Sequence, residues 1–162
     1  GVVLIDGPSR QDNGILDYDS SGSITGGVVI GTGVSGMQVN FSQNSTQGSI
    51  LYTLSGTQSA GTTVTLTDES GTVIAQFTPE KAFSVVLVSA PEIVAGETYT
   101  LTVGSQSDTI EMSSLLYGSG MGGGFGGMDM FGGMFGGQAG DMGGMSGNMG
   151  GMPGGPGGRG GW

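Results

Sequence analysis

Histidine and cysteine are absent from this 162-residue chain, and positive charge is nearly absent. The commonest general base, thiol nucleophiles, disulfides and the usual zinc and iron–sulfur ligands are thereby excluded. Its cations are Arg10, Lys81 and Arg159, against thirteen Asp and Glu residues and a formal net charge of -10. Nucleic acid is not an expected partner, because phosphate binding needs clustered cations. We therefore expect no enzyme activity and no cofactor. The remaining oxygen ligands suit calcium or magnesium, and calcium is the metal considered below.

Long apolar runs are also missing, since none reaches the ~18 residues of a membrane span, and membrane insertion is not expected. Ser, Thr and Gly are abundant while Lys occurs once, a composition that favours an exported protein. The chain opens on "GVVLIDG" without an initiator Met. We expect a processed product or the C-terminal fragment of a longer protein.

Residues 1–39 consist of short apolar segments separated by Gly, among them "VVLIDG", "ILDYD" and "VVIGTG". These segments are too short for helices. Their spacing is typical of the coils of a parallel β-helix, in which each coil buries one face against its neighbour. We predict the last one or two coils of such a β-helix, which need a partner to cover their apolar face.

A polar connector at 40–48 precedes a run of strand-like segments, and we predict a small antiparallel β-sandwich or barrel over 49–117. Val64 and Leu66 alternate with threonines, which places apolar side chains on one face of a strand. Ser70-Gly71 predicts a tight hairpin turn between the second and third strands. The six predicted strands are 49–55, 62–68, 72–78, 83–90, 98–104 and 107–113.

Residues 118–162 form a low-complexity segment dominated by Gly and Met. Glycine loses much backbone entropy on ordering and has no side chain to bury, which favours a flexible tail. Many larger residues recur at every third position, for example Phe125, Met128, Phe131 and Met134. That period also fits an extended threefold helix with one apolar stripe, and a collagen-like helix is a third alternative.

The motif "DYDSSG", residues 17–22, has the spacing of the first half of an EF-hand calcium loop. Asp17 and Asp19 are the predicted calcium ligands, with Asp6 or Asp12 as further candidates. The closing position of the loop is Val28 instead of Glu, and the flanking segments resemble strands, so the motif is not an EF-hand. A turn at the corner of a β-helix coil is the alternative.

Two further functions are compatible with these residue types. Asp17 and Asp19 would lie on one side of a strand about 6–7 Å apart, a separation compatible with a glycoside hydrolase. Neither a positioning Arg nor an aromatic platform accompanies the pair, however. The four tyrosines can instead bind sugar by stacking on its apolar face, or they can serve as packing residues: Tyr18, Tyr52, Tyr99 and Tyr117.

The runs 6–37 and 57–104 resemble the C-terminal part of the bacterial carbohydrate-binding domain-containing proteins. The similarity lies mainly in "DGP…NG.LDYD", the following "GG…G..GM" and "TYTLTVG". It implies a β-helix capped by a small β-domain, a secreted or cell-surface setting in Gram-positive bacteria, and a carbohydrate ligand. It implies no particular binding residues, and the long N-terminal β-helix of such proteins is absent from this chain.

Two functions follow as expectations. The first is an extracellular surface module for carbohydrate binding or adhesion. The alternative is a self-assembling structural subunit of an extracellular filament or matrix, with the Gly-rich tail packed between subunits. Unpaired coil edges favour the alternative, because they invite pairing, whereas a surface lined by tyrosines would favour the first.

Overall fold

The computed structural model describes residues 1–118, which form nine β-strands in two sheets. The strands are β1 (Val2–Asp6), β2 (Val28–Gly33), β3 (Gly48–Gln58), β4 (Val64–Asp68), β5 (Val73–Phe77), β6 (Phe83–Ala90), β7 (Thr98–Val103), β8 (Gln106–Glu111) and β9 (Leu116–Tyr117). This part of the chain contains no helix. The all-β, sandwich-like fold predicted from the sequence is therefore confirmed.

The first sheet, called the mixed sheet below, has the order β1-β2-β6-β3-β9. β1 runs parallel to β2, and β9 runs parallel to β3, whereas β6 is antiparallel to both of its neighbours. The second sheet is fully antiparallel and has the order β5-β4-β7-β8. All six strands predicted within 49–117 occur, but three further strands join them, and two of these come from the predicted coil segment.

The antiparallel sheet follows from period-two alternation. Val64 and Leu66 of β4 are fully buried, as is Leu101 opposite Leu66 on β7. The intervening threonines face solvent at least in part. At the β4–β5 hairpin Gly71 has φ of 85°, a conformation that glycine adopts without steric cost. The hairpin turn predicted at Ser70-Gly71 is confirmed.

β6 is the central strand of the mixed sheet and is buried on both faces. Val86 and Val88 face the antiparallel sheet and belong to the main sandwich core. Val85 and Leu87 face the opposite way and form a second, smaller core with Ile15 and other residues. A strand with both faces covered needs apolar residues at nearly every position, which accounts for the sequence "FSVVLVSA".

Two non-strand segments, 7–27 and 34–47, cover the second core. They run side by side as two stacked layers that backbone hydrogen bonds connect. The Ser42 N–H donates to Gly22 O at 2.7 Å, and the Thr46 N–H donates to Ile24 O at 3.0 Å. Gly36 lies directly against the Gln11 backbone, where a Cβ would approach the Gln11 oxygen to 2.1 Å. β1 and β2 belong to the same two levels, with Val2 paired to Val28.

Residues 1–118 do not confirm the predicted β-helix. Two coil-like levels are present, but the strand beside β2 is the antiparallel β6 rather than another parallel coil. The segments predicted as a β-helix end and as a small β-domain thus contribute strands to one sheet. Apolar residues of the segments 7–27 and 34–47 pack against one face of this same sheet.

The predictions for the low-complexity tail, including its threefold stripe, fall on residues 119–162 and lie outside the described residues. Within residues 1–118 no helix is long and apolar enough to span a membrane.

Candidate functional site

Asp17 and Asp19 lie in an irregular segment and not in a strand, so the strand spacing considered for a carboxylate pair does not apply. Both residues are exposed. Tyr18 between them turns inward, and its hydroxyl donates to the backbone oxygen of Asn40. Burial raises the pKa of the Tyr18 phenol. The motif therefore anchors one loop to the next level through Tyr18 and leaves its two carboxylates in solvent.

The other carboxylates considered for calcium have their own partners. Asp6 accepts the Glu80 N–H at 2.9 Å, and Asp12 forms an exposed ion pair with Arg10 at 2.7 Å. Within residues 1–118, no three carboxylates converge in a way that could hold a metal ion. Calcium binding by Asp17 and Asp19 stays a prediction that rests on these two residues.

The structure separates the four tyrosines by their surroundings. Tyr99 is only 2% exposed and belongs to the main core. Its hydroxyl donates to Glu92 O at 2.8 Å and accepts the Val94 N–H at 2.9 Å. Burial raises the pKa of the Tyr99 phenol. Tyr99 thus anchors the fold and presents no ring for ligand stacking, whereas Tyr18 anchors a loop through its hydroxyl and lies with its ring against Gly22.

Tyr52 and Tyr117 form a stacked pair, with ring centroids 6.3 Å apart and ring planes 21° apart. Tyr52 lies on β3 and Tyr117 on β9, and both rings are partly exposed at the rim of the main core. Asn40 holds β9 in place, because its Nδ2 donates to the backbone oxygens of Tyr117 and Gly118, each at 3.0 Å.

Gly118 follows β9 with φ of 76°, and a Cβ there would lie 2.0 Å from Leu51 O. A residue other than glycine cannot approach β3 so closely without a shift of the backbone. The turn after Tyr117 therefore depends on this glycine, and it sets the position of the outer tyrosine of the pair.

Two polar residues of β8 lie beside the tyrosine pair. Asp108 pairs with Leu101 and Gln106 with Val103, so both occupy positions on the inward face of the antiparallel sheet. Gln106 Nε2 donates to Asp108 Oδ2 at 3.2 Å. Burial and, after it, the charge of Asp108 raise the pKa of the Tyr52 phenol. We call Tyr52, Tyr117, Gln106 and Asp108 the tyrosine platform.

The chemistry of the tyrosine platform suits a neutral, hydroxyl-rich ligand. Aromatic rings offer an apolar face with a polar edge, while a carboxylate and an amide supply several hydrogen-bond acceptors and donors in a small area. The platform has one carboxylate, whereas hydrolysis of a glycosidic bond generally uses two.

Sequence reasoning named Tyr52 and Tyr117 separately, yet it could not pair residues so distant in the chain. It missed Asp108 and Gln106 altogether. A signal for both exists, because Asp108 and Gln106 share the parity of the buried Ile110 in β8. A polar residue at the inward position of an edge strand marks the rim of a sandwich.

An open depression elsewhere is lined by four carboxylates: Asp68, Glu69, Glu92 and Glu97. The pKa of Asp68 is lowered by hydrogen bonds from the Ser70 hydroxyl and the Thr72 N–H. These bonds close the β4–β5 turn and account for Asp68 as a turn residue. We therefore interpret the depression as the surface beside the β4–β5 turn, and its carboxylates as part of the generally acidic composition of the protein.

No known family model, no curated protein and no solved structure matches the chain.

Proposed function

We propose that the protein is an extracellular, non-enzymatic module of the bacterial cell surface. It binds glycans weakly through the tyrosine platform. The observation that carries the proposal is the stacked, partly exposed Tyr52–Tyr117 pair beside Asp108. The acidic composition with little Lys supports an exported protein, and the resemblance noted in the sequence supports a carbohydrate ligand.

A weak affinity follows from the size of the platform. A hexose has about a dozen non-hydrogen atoms, and at ~0.3 kcal/mol per atom its binding free energy is about 4 kcal/mol. That value corresponds to a dissociation constant on the order of 1 mM. Useful retention on a cell wall would come from several copies that bind one polysaccharide, since avidity multiplies weak sites.

Glycan binding is tested on the full chain with a glycan array, followed by titration of the best polysaccharide. Tyr117→Ala is expected to weaken binding about fivefold, since one stacking contact is worth about 1 kcal/mol, whereas Tyr117→Phe keeps the ring and is expected to bind within a factor of two or three. The variant Asp108→Ala is compared with the control variant Asp17→Ala, which removes an exposed carboxylate outside the platform. An array without any bound glycan, or unchanged binding by Tyr117→Ala, would refute the proposal.

We also infer that residues 1–39 are the last one or two coils of a parallel β-helix. The parallel β1–β2 pair, the side-by-side segments 7–27 and 34–47, and the separate apolar core beneath them support this. The antiparallel β6 would then close the stack and join it to the sandwich.

The second candidate function is a self-assembling structural subunit of an extracellular filament or matrix. One observation favours it: β1 ends the mixed sheet and has an unpaired outer edge within the described part of the chain. Negative-stain microscopy separates this candidate from the first, because fibres would support it and uniform small particles would contradict it.

A further inference from the structure

Asn13 and Gly14 lie together in the segment that follows β1. Asn13 is exposed, and its Oδ1 accepts the Gly14 N–H at 2.9 Å. No other hydrogen bond holds this side chain within residues 1–118. The contact brings the Gly14 nitrogen beside the carbon of the side-chain amide, Asn13 Cγ, with which it can close a succinimide ring. Reacting groups that are held side by side gain rate from their proximity.

The fold requires a glycine at position 14. A Cβ there would lie 2.5 Å from Met37 O and 2.7 Å from Leu16 O, which are both backbone atoms. Any other residue would therefore need a backbone shift where the two stacked layers meet. The same lack of a side chain leaves the Gly14 nitrogen unshielded from the Asn13 amide. The residue that permits close packing of the layers thus also permits the reaction.

Asn40 makes the same contact, but its amide is held in place. Its Oδ1 accepts the Phe41 N–H at 2.8 Å. Its Nδ2, which would have to leave as ammonia, donates to the backbone oxygens of Tyr117 and Gly118, each at 3.0 Å. The next residue also carries a phenyl group, whereas a glycine follows Asn13. Ring closure at Asn40 would break the bonds that hold β9 and is disfavoured for that reason.

Asn44 is exposed like Asn13, but the nitrogen beside it is engaged elsewhere. The Ser45 N–H donates to Ser42 O at 3.0 Å, and Ser45 is only 6% exposed. This nitrogen has to give up its bond before it can attack the Asn44 amide. Among the asparagines of residues 1–118, Asn13 alone is exposed and followed by a glycine whose N–H faces the side-chain amide.

We propose that Asn13 is a site of spontaneous deamidation, which converts it to isoaspartate and aspartate. The Gly14 nitrogen loses its proton to hydroxide and attacks Asn13 Cγ, and the new C–N bond displaces the side-chain nitrogen as ammonia. Water then opens the succinimide. Cleavage of the bond to Cγ gives aspartate, and cleavage of the bond to the backbone carbonyl carbon gives isoaspartate. Water is the only co-reactant, and the site is independent of glycan binding.

Isoaspartate would disturb the second core. In this product the main chain runs through the former side chain, so that it gains a methylene between the Cα of residue 13 and the nitrogen of Gly14. Ile15 follows directly, is 8% exposed and packs in the second core with Val85 and Leu87. Close-packed interiors respond to a change of a single methylene. The conversion should therefore loosen this core, in addition to adding a negative charge.

Deamidation is tested on the full chain, stored in mildly alkaline buffer and then digested at acidic pH, which limits further reaction during handling. Mass spectrometry of the peptides should show the mass increase of an amide-to-acid exchange at Asn13 before any at Asn40 or Asn44. In heavy-oxygen water the new carboxylate should take up label from the solvent. Asn13→Gln keeps an amide but would have to close a larger ring, and it should stay unconverted over the same period.

Thermal melts separate the inserted methylene from the added charge. Asn13→Asp has the charge without the methylene and should melt like the parent. The isoaspartate form, isolated from the stored parent by chromatography, should melt several degrees lower, because a small loss of stability moves the midpoint of a domain of this size by degrees. Stored Asn13→Gln should keep its melting temperature.

The proposal fails if Asn13 converts in urea but stays intact in the native chain, because the fold would then protect it. Equal rates at Asn13 and Asn44 in the native chain would show that the engaged Ser45 N–H makes no difference. An isoaspartate form that melts like the parent would refute the effect on the second core.

Discussion

The four tyrosines have identical side chains, but their surroundings in the fold differ. These surroundings decide their roles. Tyr99 makes two hydrogen bonds with its buried hydroxyl, whereas Tyr52 and Tyr117 stack and remain partly exposed. Each was an equal candidate for sugar stacking in the sequence. Exposure depends on which strands end up beside a residue, so sequence alone could not separate them.

We predict that the protein loses stability at alkaline pH, in part through Tyr99. Its phenol has a pKa raised above the ordinary 10.0 in the folded state, so the native state holds the proton more tightly than the unfolded state. The stabilisation is complete below pH ~10 and is lost as pH rises through the higher folded pKa. Urea unfolding between pH 8 and 11 measures this fall in the free energy of unfolding.

Tyr99→Phe should be destabilised by about 1–3 kcal/mol at pH 8, because Glu92 O and the Val94 N–H lose their partner. Its further loss toward pH 11 should be smaller than that of the parent, though not zero, since the pKa of Tyr52 is raised as well. A pH profile identical to that of the parent would contradict this role for Tyr99.

We predict that calcium raises the melting temperature if Asp17 and Asp19 bind it. At a calcium concentration ten times the dissociation constant, binding would stabilise the fold by about 1.4 kcal/mol. Thermal melts with calcium, with magnesium and with chelator measure the effect. Asp17→Asn with Asp19→Asn should abolish it and Asp12→Asn should not; an unchanged parent melt would refute the site.

Among the elements, β9 is the shortest, and it depends on contacts from outside the strand. Its two residues pair with Ser49 and Ile50, and Asn40 reaches across from the connector to bind its carbonyls. Asn40 Oδ1 also accepts the Ser49 hydroxyl. One side chain therefore joins the connector, β3 and β9, and it positions Tyr117 within the tyrosine platform.

We predict that Asn40→Ala loosens β9. Loss of these bonds leaves the partly buried Tyr117 carbonyl and Ser49 hydroxyl without their partner and should cost about 1–3 kcal/mol. The Ser49 N–H, which donates to Leu115 O at 2.8 Å, should exchange its hydrogen faster in the variant, and glycan binding should weaken with it. Asn44→Ala, at an exposed position of the same connector, serves as the control. Unchanged exchange at Ser49 in Asn40→Ala would contradict the prediction.

The strands of 49–117 were predictable because their pattern is local. The segment 83–90 matches β6 at both ends, and the segment 62–68 contains β4. The pairing of β2 with β6 was not predictable, since Val29 pairs with Ser89 across most of the domain. Alternation of apolar and polar residues shows which face of a strand is buried. It does not show which other strand lies beside it, because many strands have the same alternation.

The mixed sheet separates the two cores of the described residues and contributes side chains to both. Leu87 packs into the smaller core and its neighbours Val86 and Val88 into the main core, and all three are fully buried. The loops over 7–47 therefore cannot detach without exposing one face of β6. We infer that residues 1–118 unfold as one cooperative unit.

We predict that Leu87→Ala destabilises the whole unit by about 2–5 kcal/mol, the usual range for a buried Leu truncated to Ala. Amide hydrogen exchange should accelerate in β4 and β7 of the antiparallel sheet as much as in β2, although Leu87 does not belong to the core between the sheets. Val73→Ala, at an exposed site, should change stability by less than about 0.5 kcal/mol. Faster exchange confined to β1, β2 and the loops would show that the two cores unfold separately.

Composition and period-two alternation by themselves determined the all-β class, most strand positions and the β4–β5 turn, because these depend on neighbours along the chain. The tertiary structure decided that residues 1–39 and the sandwich contribute strands to one sheet, and which tyrosines meet. Those features arise from contacts between residues far apart in sequence, and a local pattern is compatible with many such contacts.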